Sequence, residues 1–150
     1  ALKPYRVLIS ADIFGQTGLA NDDMGIGQVI EEIAKNVDYV SPMVYPSHYG
    51  PGILGYKNPA QHPYEVIRYS LENARSRLNT YVSATSSVSF SRPKLRPWLQ
   101  AFDLGAVYDS SMINAEIKAV NDVLQNASAT GKFVGWLLWD PTNNYSNYRG

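Results

Sequence analysis

The chain has 150 residues, of which 45% are hydrophobic and 17% charged, and this composition predicts one folded domain rather than a disordered chain. Lysine plus arginine equals aspartate plus glutamate at 13 each, so the charge favours neither a nucleic acid nor a membrane surface as partner. The lack of cysteine excludes disulfides and thiolate metal sites. With no apolar run near the ~20 residues that span a bilayer, no signal peptide and no initiating Met, the sequence suggests a fragment of a longer chain.

The first half of the chain alternates predicted strands and helices. A buried strand is predicted from Tyr5 to Ala11, and a helix follows it behind a capping cluster at Asn21 to Asp23. The apolar residues of that helix are Ile26, Val29, Ile30, Ile33 and Val37. A second strand is predicted from Tyr39 to Tyr45, and a long loop then leads to Pro63, which suits the first turn of a helix. The apolar stripe of this second helix consists of Ile67, Leu71, Ala74 and Leu78.

The second half repeats this order. The segment from Thr80 to Pro93 is rich in serine and threonine and predicts a loop with some extended structure, and Leu95 to Phe102 predicts the third strand. Ser110–Ser111 are the predicted caps of a third helix, which Gly131 closes. The apolar residues of this helix are Ile113, Ile117, Val120 and Leu124. Phe133 to Trp139 is the predicted fourth strand.

This alternation predicts the α/β class, with parallel strands joined by helices and a ligand bound beyond the carboxyl ends of the strands. Polar and aromatic residues gather at or just after the predicted strand ends: Asp12, Tyr45, His48, Trp98, Gln100, Asp103, Trp139 and Asp140. Eleven Tyr and three Trp among few charges favour a ligand that presents both apolar faces and hydroxyls. Carbohydrate is the commonest ligand of that kind.

Asp12 is the best candidate for a catalytic carboxylate. It shares one face of its predicted strand with Leu8 and Ser10, so it would point to the mouth of the site, where partial burial tunes a pKa. The alternative is a carboxylate that caps the next loop or pairs with an arginine. Asp103 or Asp140 could complete the pair of carboxyl groups that most glycosidases use. Aspartates in such positions also serve turns and helix caps.

The second predicted strand offers Tyr45 as a substrate-binding residue. Alternation places Tyr45 on the inward face with Ser41 and Met43. There it would donate a hydrogen bond to a sugar or a carboxylate, or be a core tyrosine whose hydroxyl binds the backbone. His48, in the next loop, would bind substrate, assist proton transfer or form structural hydrogen bonds. His62 lacks the spacing of a second ligand, so we expect no metal site.

The last two predicted strands add aromatic and amide groups. Trp98 and Gln100 alternate with apolar residues and would present an indole and an amide to the interior, where polar groups need partners or a substrate. Trp139 is favoured over Trp136 as a platform under a sugar, because Trp136 alternates to the side that packs against helices.

Five segments carry a resemblance to a known family. In chain order they read ISADIFG, MGIGQVIEEIAKNVDYVSPMVYPSHY, PYEVIRYSLENA, RPWLQAF and GWLLWD. Together they resemble the C-terminal half of the bacterial putative glycosyl hydrolase domain, a family of the TIM-barrel glycosidase group. The resemblance implies that residues 1–150 form one domain with the last four strand–helix units of a (β/α)₈ barrel, without the first half and its catalytic carboxylate. That family pattern has an asparagine where this chain has Asp140.

The resemblance implies a glycoside hydrolase that acts on a polysaccharide or cell-surface glycan, without a cofactor, outside a bacterial cell or on its surface. The fragment alone would be inactive if one of its two carboxylates is missing. Two alternatives stay open: a carbohydrate-binding domain without catalysis, and a structural half barrel. A half barrel would pair with the missing N-terminal half or form a homodimer. Either would cover the inward apolar residues Leu8, Met43, Phe102 and Leu137.

Overall fold

The computed structural model describes residues 3–84, 94–125 and 135–148, and these form an α/β fold with one parallel sheet. The strands are β1 (Ser10–Phe14), β2 (Tyr39–Met43), β3 (Lys94–Leu95), β4 (Trp98–Gln100) and β5 (Leu137–Trp139). The helices are α1 (Ile30–Ala34), α2 (Pro63–Ala84) and α3 (Ser110–Val120), and α3 continues as a π-helical turn, Asn121–Gln125. Short 3-10 turns lie at Lys3–Tyr5, Gly15–Gly18, Pro46–His48, Ile53–Gly55 and Pro59–Gln61.

The strands lie side by side in chain order. β2 pairs with β1 on one side and with β3 and β4 on the other, and β5 pairs with β4, always in parallel. β3 and β4 are two parts of one strand, separated by Arg96 and Pro97. Adjacent parallel strands in chain order are the arrangement of a (β/α) barrel, so the sheet is compatible with part of such a barrel.

All three helices pack on one face of the sheet. The first core cluster consists of Ile13, Ile30, Ala34, Val40, Ala74, Leu78 and Leu95. The second consists of Val44, Ile67, Leu71, Leu99, Ala119, Val120 and Val123. The predicted stripe of α2 is therefore buried as expected, and burial of each of its isoleucine and leucine side chains contributes about 1.5–3 kcal/mol. Trp136 packs against the second cluster, which confirms its predicted position on the helical side.

The predicted bounds of the first two strands are wrong. β1 begins at Ser10 rather than Tyr5, because ladder pairing requires a neighbour and Ser10 lies opposite Tyr39, where β2 begins. β1 also continues to Phe14 rather than ending at Ala11, so Asp12 lies in the middle of the strand and not after its end. β2 ends at Met43, since the chain turns into a 3-10 segment shortly afterwards.

The predicted cap of the first helix is also wrong. α1 begins at Ile30, because Met24 and Gly25 have positive φ angles that a right-handed helix cannot contain. Asp22 and Asp23 instead accept hydrogen bonds from the backbone N–H groups of Met24 and Gly25. They stabilise a turn that precedes the helix.

Two further boundaries differ in the middle of the chain. α2 continues through Thr80 to Ala84, so the first part of the predicted Thr80–Pro93 loop is helical, and residues 85–93 lie outside the described residues. The predicted strand Leu95–Phe102 is interrupted at Pro97, which has no N–H to donate to a ladder.

The cap of α3 lies one residue earlier than predicted. Asp109, rather than Ser110–Ser111, is the N-cap, and its Oδ1 accepts from the backbone N–H groups of Ser111 at 2.9 Å and Met112 at 3.1 Å. A carboxylate just before a helix reaches these otherwise unpaired donors. The predicted closing residue Gly131 and the first two residues of the predicted fourth strand lie outside the described residues.

The segment after β1 comes so close to β2 that Gly15 has no room for a side chain. A Cβ there would lie 2.5 Å from both the Met43 carbonyl oxygen and the Tyr49 hydroxyl. We expect Gly15→Ala to lower the free energy of unfolding by about 1–3 kcal/mol, because packed backbone must move, and urea denaturation measures this loss. Gly50→Ala is the matched control, since nothing lies within 4 Å of its added Cβ. Equal stability of the two variants would contradict the prediction.

Candidate functional site

The face of the sheet opposite the helices is called the open face. Strand alternation and register place the following side chains on it: Ser10, Asp12, Phe14, Tyr39, Ser41, Met43, Tyr45, Lys94, Trp98, Gln100, Leu137 and Trp139. Phe14 is 48% exposed and Trp139 is 42% exposed, whereas Gln100 is fully buried. The open face therefore combines accessible aromatic surface with a small number of polar groups.

Asp12 lies beside two tryptophans on the open face. The Trp98 indole Nε1 donates a hydrogen bond to Asp12 Oδ1 at 3.0 Å, although β2 separates their strands. The ring centroids of Trp98 and Trp139 are 6.1 Å apart, with the rings nearly perpendicular. Within the described residues, the side-chain partner of Asp12 is thus an indole and not an arginine. One exposed carboxylate adjoins a continuous aromatic surface.

Three aromatic rings meet where β2 and β4 end. Tyr45 contacts His48 at a centroid distance of 5.3 Å and Phe102 at 5.6 Å, and His48 contacts Phe102 at 6.0 Å. Burial raises the pKa of the Tyr45 hydroxyl well above its usual value, and the negative charge of Asp12 raises it further. The hydroxyl, which is protonated at neutral pH even at its ordinary pKa, therefore keeps its proton to a still higher pH and can donate a hydrogen bond.

Gln100 uses its side-chain amide within the protein. Its Oε1 accepts from the backbone N–H of Ser47 at 3.2 Å and from the Ser47 hydroxyl at 2.8 Å. Its Nε2 donates to the Phe102 carbonyl oxygen at 2.9 Å. The structure therefore places Gln100 under the loop that carries His48, as a link between the segments that follow β2 and β4.

Asp103 and Asp140 both stabilise turns after their strands. Asp103 Oδ1 accepts from the backbone N–H of Tyr108 at 2.7 Å. Asp140 Oδ1 accepts from the Thr142 backbone N–H at 2.6 Å and from its hydroxyl at 2.5 Å, and these bonds lower the pKa of Asp140. These contacts match the turn-forming alternative considered for both residues.

The sequence analysis missed Glu116, which lies on α3 behind the sheet. The side chain is fully buried, its Oε1 accepts from the backbone N–H of Gln100 at 3.2 Å, and Oε2 has no hydrogen-bond partner among the described residues. Burial raises the pKa of this carboxyl group well above its usual value. A signal was present in the sequence, because Glu116 stands three residues after Ile113 and four before Val120, within the apolar stripe of the helix.

The described residues contain no group of three or more histidine, cysteine, aspartate or glutamate side chains that could hold a metal ion. His62 instead stacks on Tyr56, with ring centroids 3.6 Å apart. Across residues 3–84, 94–125 and 135–148, no helix is long and apolar enough to cross a membrane.

The sequence model of the family described as a putative glycosyl hydrolase domain matches residues 1–145. The chain belongs to this family. The match confirms the resemblance carried by the five sequence segments and supports a general glycosidase-like function. Comparisons with curated proteins and with solved structures gave no match.

The buried Glu116 makes the stability of this chain depend on pH. The unfolded carboxyl group releases its proton near pH 4.5, whereas burial keeps the folded group protonated to a higher pH. The free energy of unfolding therefore falls as the pH rises above that value. Glu116→Gln keeps an oxygen that accepts from the Gln100 N–H. The amide does not titrate, so the variant lacks this loss of stability at higher pH. We expect the variant to gain stability over wild type at about pH 7 and less at about pH 4, by urea denaturation.

A matched control is Glu65→Gln, which neutralises an exposed glutamate in the first turn of α2. It should not show a gain that grows toward neutral pH. A gain from Glu116→Gln of the same size at both pH values would show that titration of the carboxyl group is not its cause.

Proposed function

We propose that this protein is part of a glycoside hydrolase that binds a glycan on the open face, with Asp12 as a catalytic carboxylate. The observation that carries this proposal is the hydrogen bond from the Trp98 indole to Asp12, with Trp139 in contact with Trp98. Sugar rings present apolar C–H faces together with hydroxyls. An oriented carboxylate beside accessible aromatic rings suits both features.

The contact with Trp98 suggests which role Asp12 takes. The indole N–H binds Oδ1 and fixes the orientation of the carboxylate. The other oxygen can then act as a nucleophile or general base toward a sugar lying on the aromatic surface. Tyr45, whose hydroxyl stays protonated, would donate a hydrogen bond to the sugar or to the carboxylate.

A second carboxyl group is needed for efficient hydrolysis. Most glycosidases use a pair about 5 Å apart when they retain configuration and farther apart when they invert it. Among the side chains assigned to the open face, Asp12 is the only carboxylate. We infer that these strands are the last four of a (β/α)₈ barrel whose first half supplies the second group, in an enzyme outside a bacterial cell or on its surface.

Activity should therefore require the longer chain. We expect the 150-residue protein to hydrolyse soluble polysaccharides poorly, and a chain extended upstream by another half barrel to release reducing sugar.

In the extended protein, Asp12→Asn should lower kcat by about 10²–10⁴-fold with little change in binding, since the amide oxygen still accepts from Trp98. Trp139→Ala should instead weaken binding by about 1–3 kcal/mol through lost apolar contact.

The pattern of these results distinguishes the possible functions. Full activity of Asp12→Asn would remove Asp12 from the mechanism. Glycan binding that depends on Trp139, without turnover in any form, would identify a carbohydrate-binding domain. Unchanged glycan binding and unchanged activity in Trp139→Ala would contradict the proposal that Trp139 is a platform under the sugar. Trp136→Phe is the control, because Trp136 packs on the helical side and should leave glycan binding unchanged.

Self-association is the second proposed property of the open face. Phe14 and Leu8 are 48% and 68% exposed, and β1 and β5 are the outer strands of the described sheet. Of the four inward apolar residues expected to be uncovered, Leu8 is exposed and Met43, Phe102 and Leu137 are half-buried. We propose that two copies of the 150-residue protein associate through this face.

Light scattering tests this association. Wild type should be dimeric at micromolar concentration, and Phe14→Glu should be monomeric because it places a charge in the apolar contact. Tyr69→Glu is the control, since Tyr69 is similarly exposed at 37% but lies on α2. A folded wild-type monomer, or dissociation by both variants alike, would contradict association through the open face.

A further inference from the structure

A chain of hydrogen bonds connects buried Gln100 to exposed His48. The orientation of the Gln100 amide follows from its two backbone partners. The Phe102 carbonyl oxygen, 2.9 Å from Nε2, can only accept, and the Ser47 backbone N–H, 3.2 Å from Oε1, can only donate. Oε1 therefore faces Ser47.

The Ser47 hydroxyl has one proton and two neighbours. Its Oγ lies 2.8 Å from Gln100 Oε1 and 3.1 Å from His48 Nδ1. Because Oε1 can only accept, the hydroxyl must donate to it, or two lone pairs would face each other at 2.8 Å. The remaining bond requires His48 Nδ1 to carry a proton and donate to the Ser47 oxygen.

We infer that Gln100 and Ser47 are positioning residues that hold the neutral His48 ring as its Nδ1–H tautomer, so that Nε2 presents a lone pair at the mouth of the open face. The backbone of His48 is also fixed, because its carbonyl oxygen accepts from Gln16 Nε2 at 2.7 Å. Edge contacts with Tyr45 and Phe102 restrict the ring. No hydrogen bond from a described residue reaches Nε2, and the residue is exposed.

The tautomer determines what His48 can recognise. A neutral ring with a free Nε2 accepts a hydrogen bond and does not donate one from that atom. The free Nε2 can therefore accept from a hydroxyl group, which the sugar of the proposed function would supply. A carboxylate or phosphate, which needs a donor, would find none at Nε2. This assignment of a ligand rests on the proposed function. The assignment of the tautomer does not, because it follows from Gln100 and Ser47 alone.

Nitrogen-15 NMR of the uniformly labelled 150-residue protein tests the tautomer directly, at a pH where the histidine rings are uncharged. The pattern of long-range couplings identifies which ring nitrogen carries the proton. In wild type, His48 should be the Nδ1–H form. Ser47→Ala should shift it to a mixture or to the Nε2–H form, whereas Ser47→Thr, which keeps the hydroxyl, should restore it. His62 is an internal control, since it stacks on Tyr56 and should be unchanged in every variant.

Two results would overturn the inference. One is an Nε2–H tautomer of His48 in wild type, and the other is an Nδ1–H tautomer that persists fully in Ser47→Ala. The spectra are recorded without a glycan, so they are independent of the hydrolysis and binding assays. Failure of those assays would remove the proposed glycosidase function, and the histidine tautomer would still be decided by its own measurement.

Discussion

The parallel pairing of β2 with both of its neighbours determines where the functional side chains lie. Met43 is opposite Phe14 of β1 and also opposite Trp98 of β4. Because side chains alternate along each strand, this register decides for the whole sheet which residues face the helices. A shift of one residue between β1 and β2 would bury Asp12 among apolar helices and expose Ile13. The cost of burying that charge helps to specify the observed register.

The carboxyl end of the sheet is held by polar contacts between loops. Gln100 joins the segment after β2 to the segment after β4. Farther along, the Tyr108 hydroxyl donates to the Ala60 carbonyl oxygen at 3.0 Å, and Asn58 Nδ2 donates to the Gly105 carbonyl oxygen at 2.8 Å. Loops tied together in this way keep their geometry without a ligand. Such preorganisation reduces the entropy lost when a substrate is positioned.

Periodicity predicted the part of the structure that depends on local pattern. The stripe of α2 and the opposite facing of Trp136 and Trp139 both follow from spacing within one element. The start of β1 depends on where β2 begins, and the interruption at Pro97 depends on the loss of a donor. Local pattern alone therefore did not predict the exact bounds of these strands. The delayed start of α1 was set by the positive φ angle at Met24, which a non-glycine residue seldom adopts.

The candidate site was predictable only as a set of residues. The bond between Asp12 and Trp98 joins positions 86 residues apart and requires the register of two strand pairs. Glu116 was overlooked because a glutamate on a helix is ordinarily solvated. Its place within an apolar stripe, rather than its charge, indicates that its side chain is buried. The turn role of Asp103 and Asp140 was foreseen as an alternative, but their exact partners depend on loop geometry that spacing does not encode.

The position of the three tryptophans gives the protein a built-in optical probe. Trp98 and Trp139 touch each other on the open face, and the Trp98 indole is bound to a carboxylate, while Trp136 lies on the helical side with its ring 5.6 Å from Tyr148. An indole excited state responds to nearby charge and to solvent. Two of the emitters therefore sense the face where a ligand would lie, and the third senses the packing behind it. A ligand on the open face would thus alter Trp98 and Trp139 but not Trp136, whereas unfolding would alter all three tryptophans of the unlabelled protein.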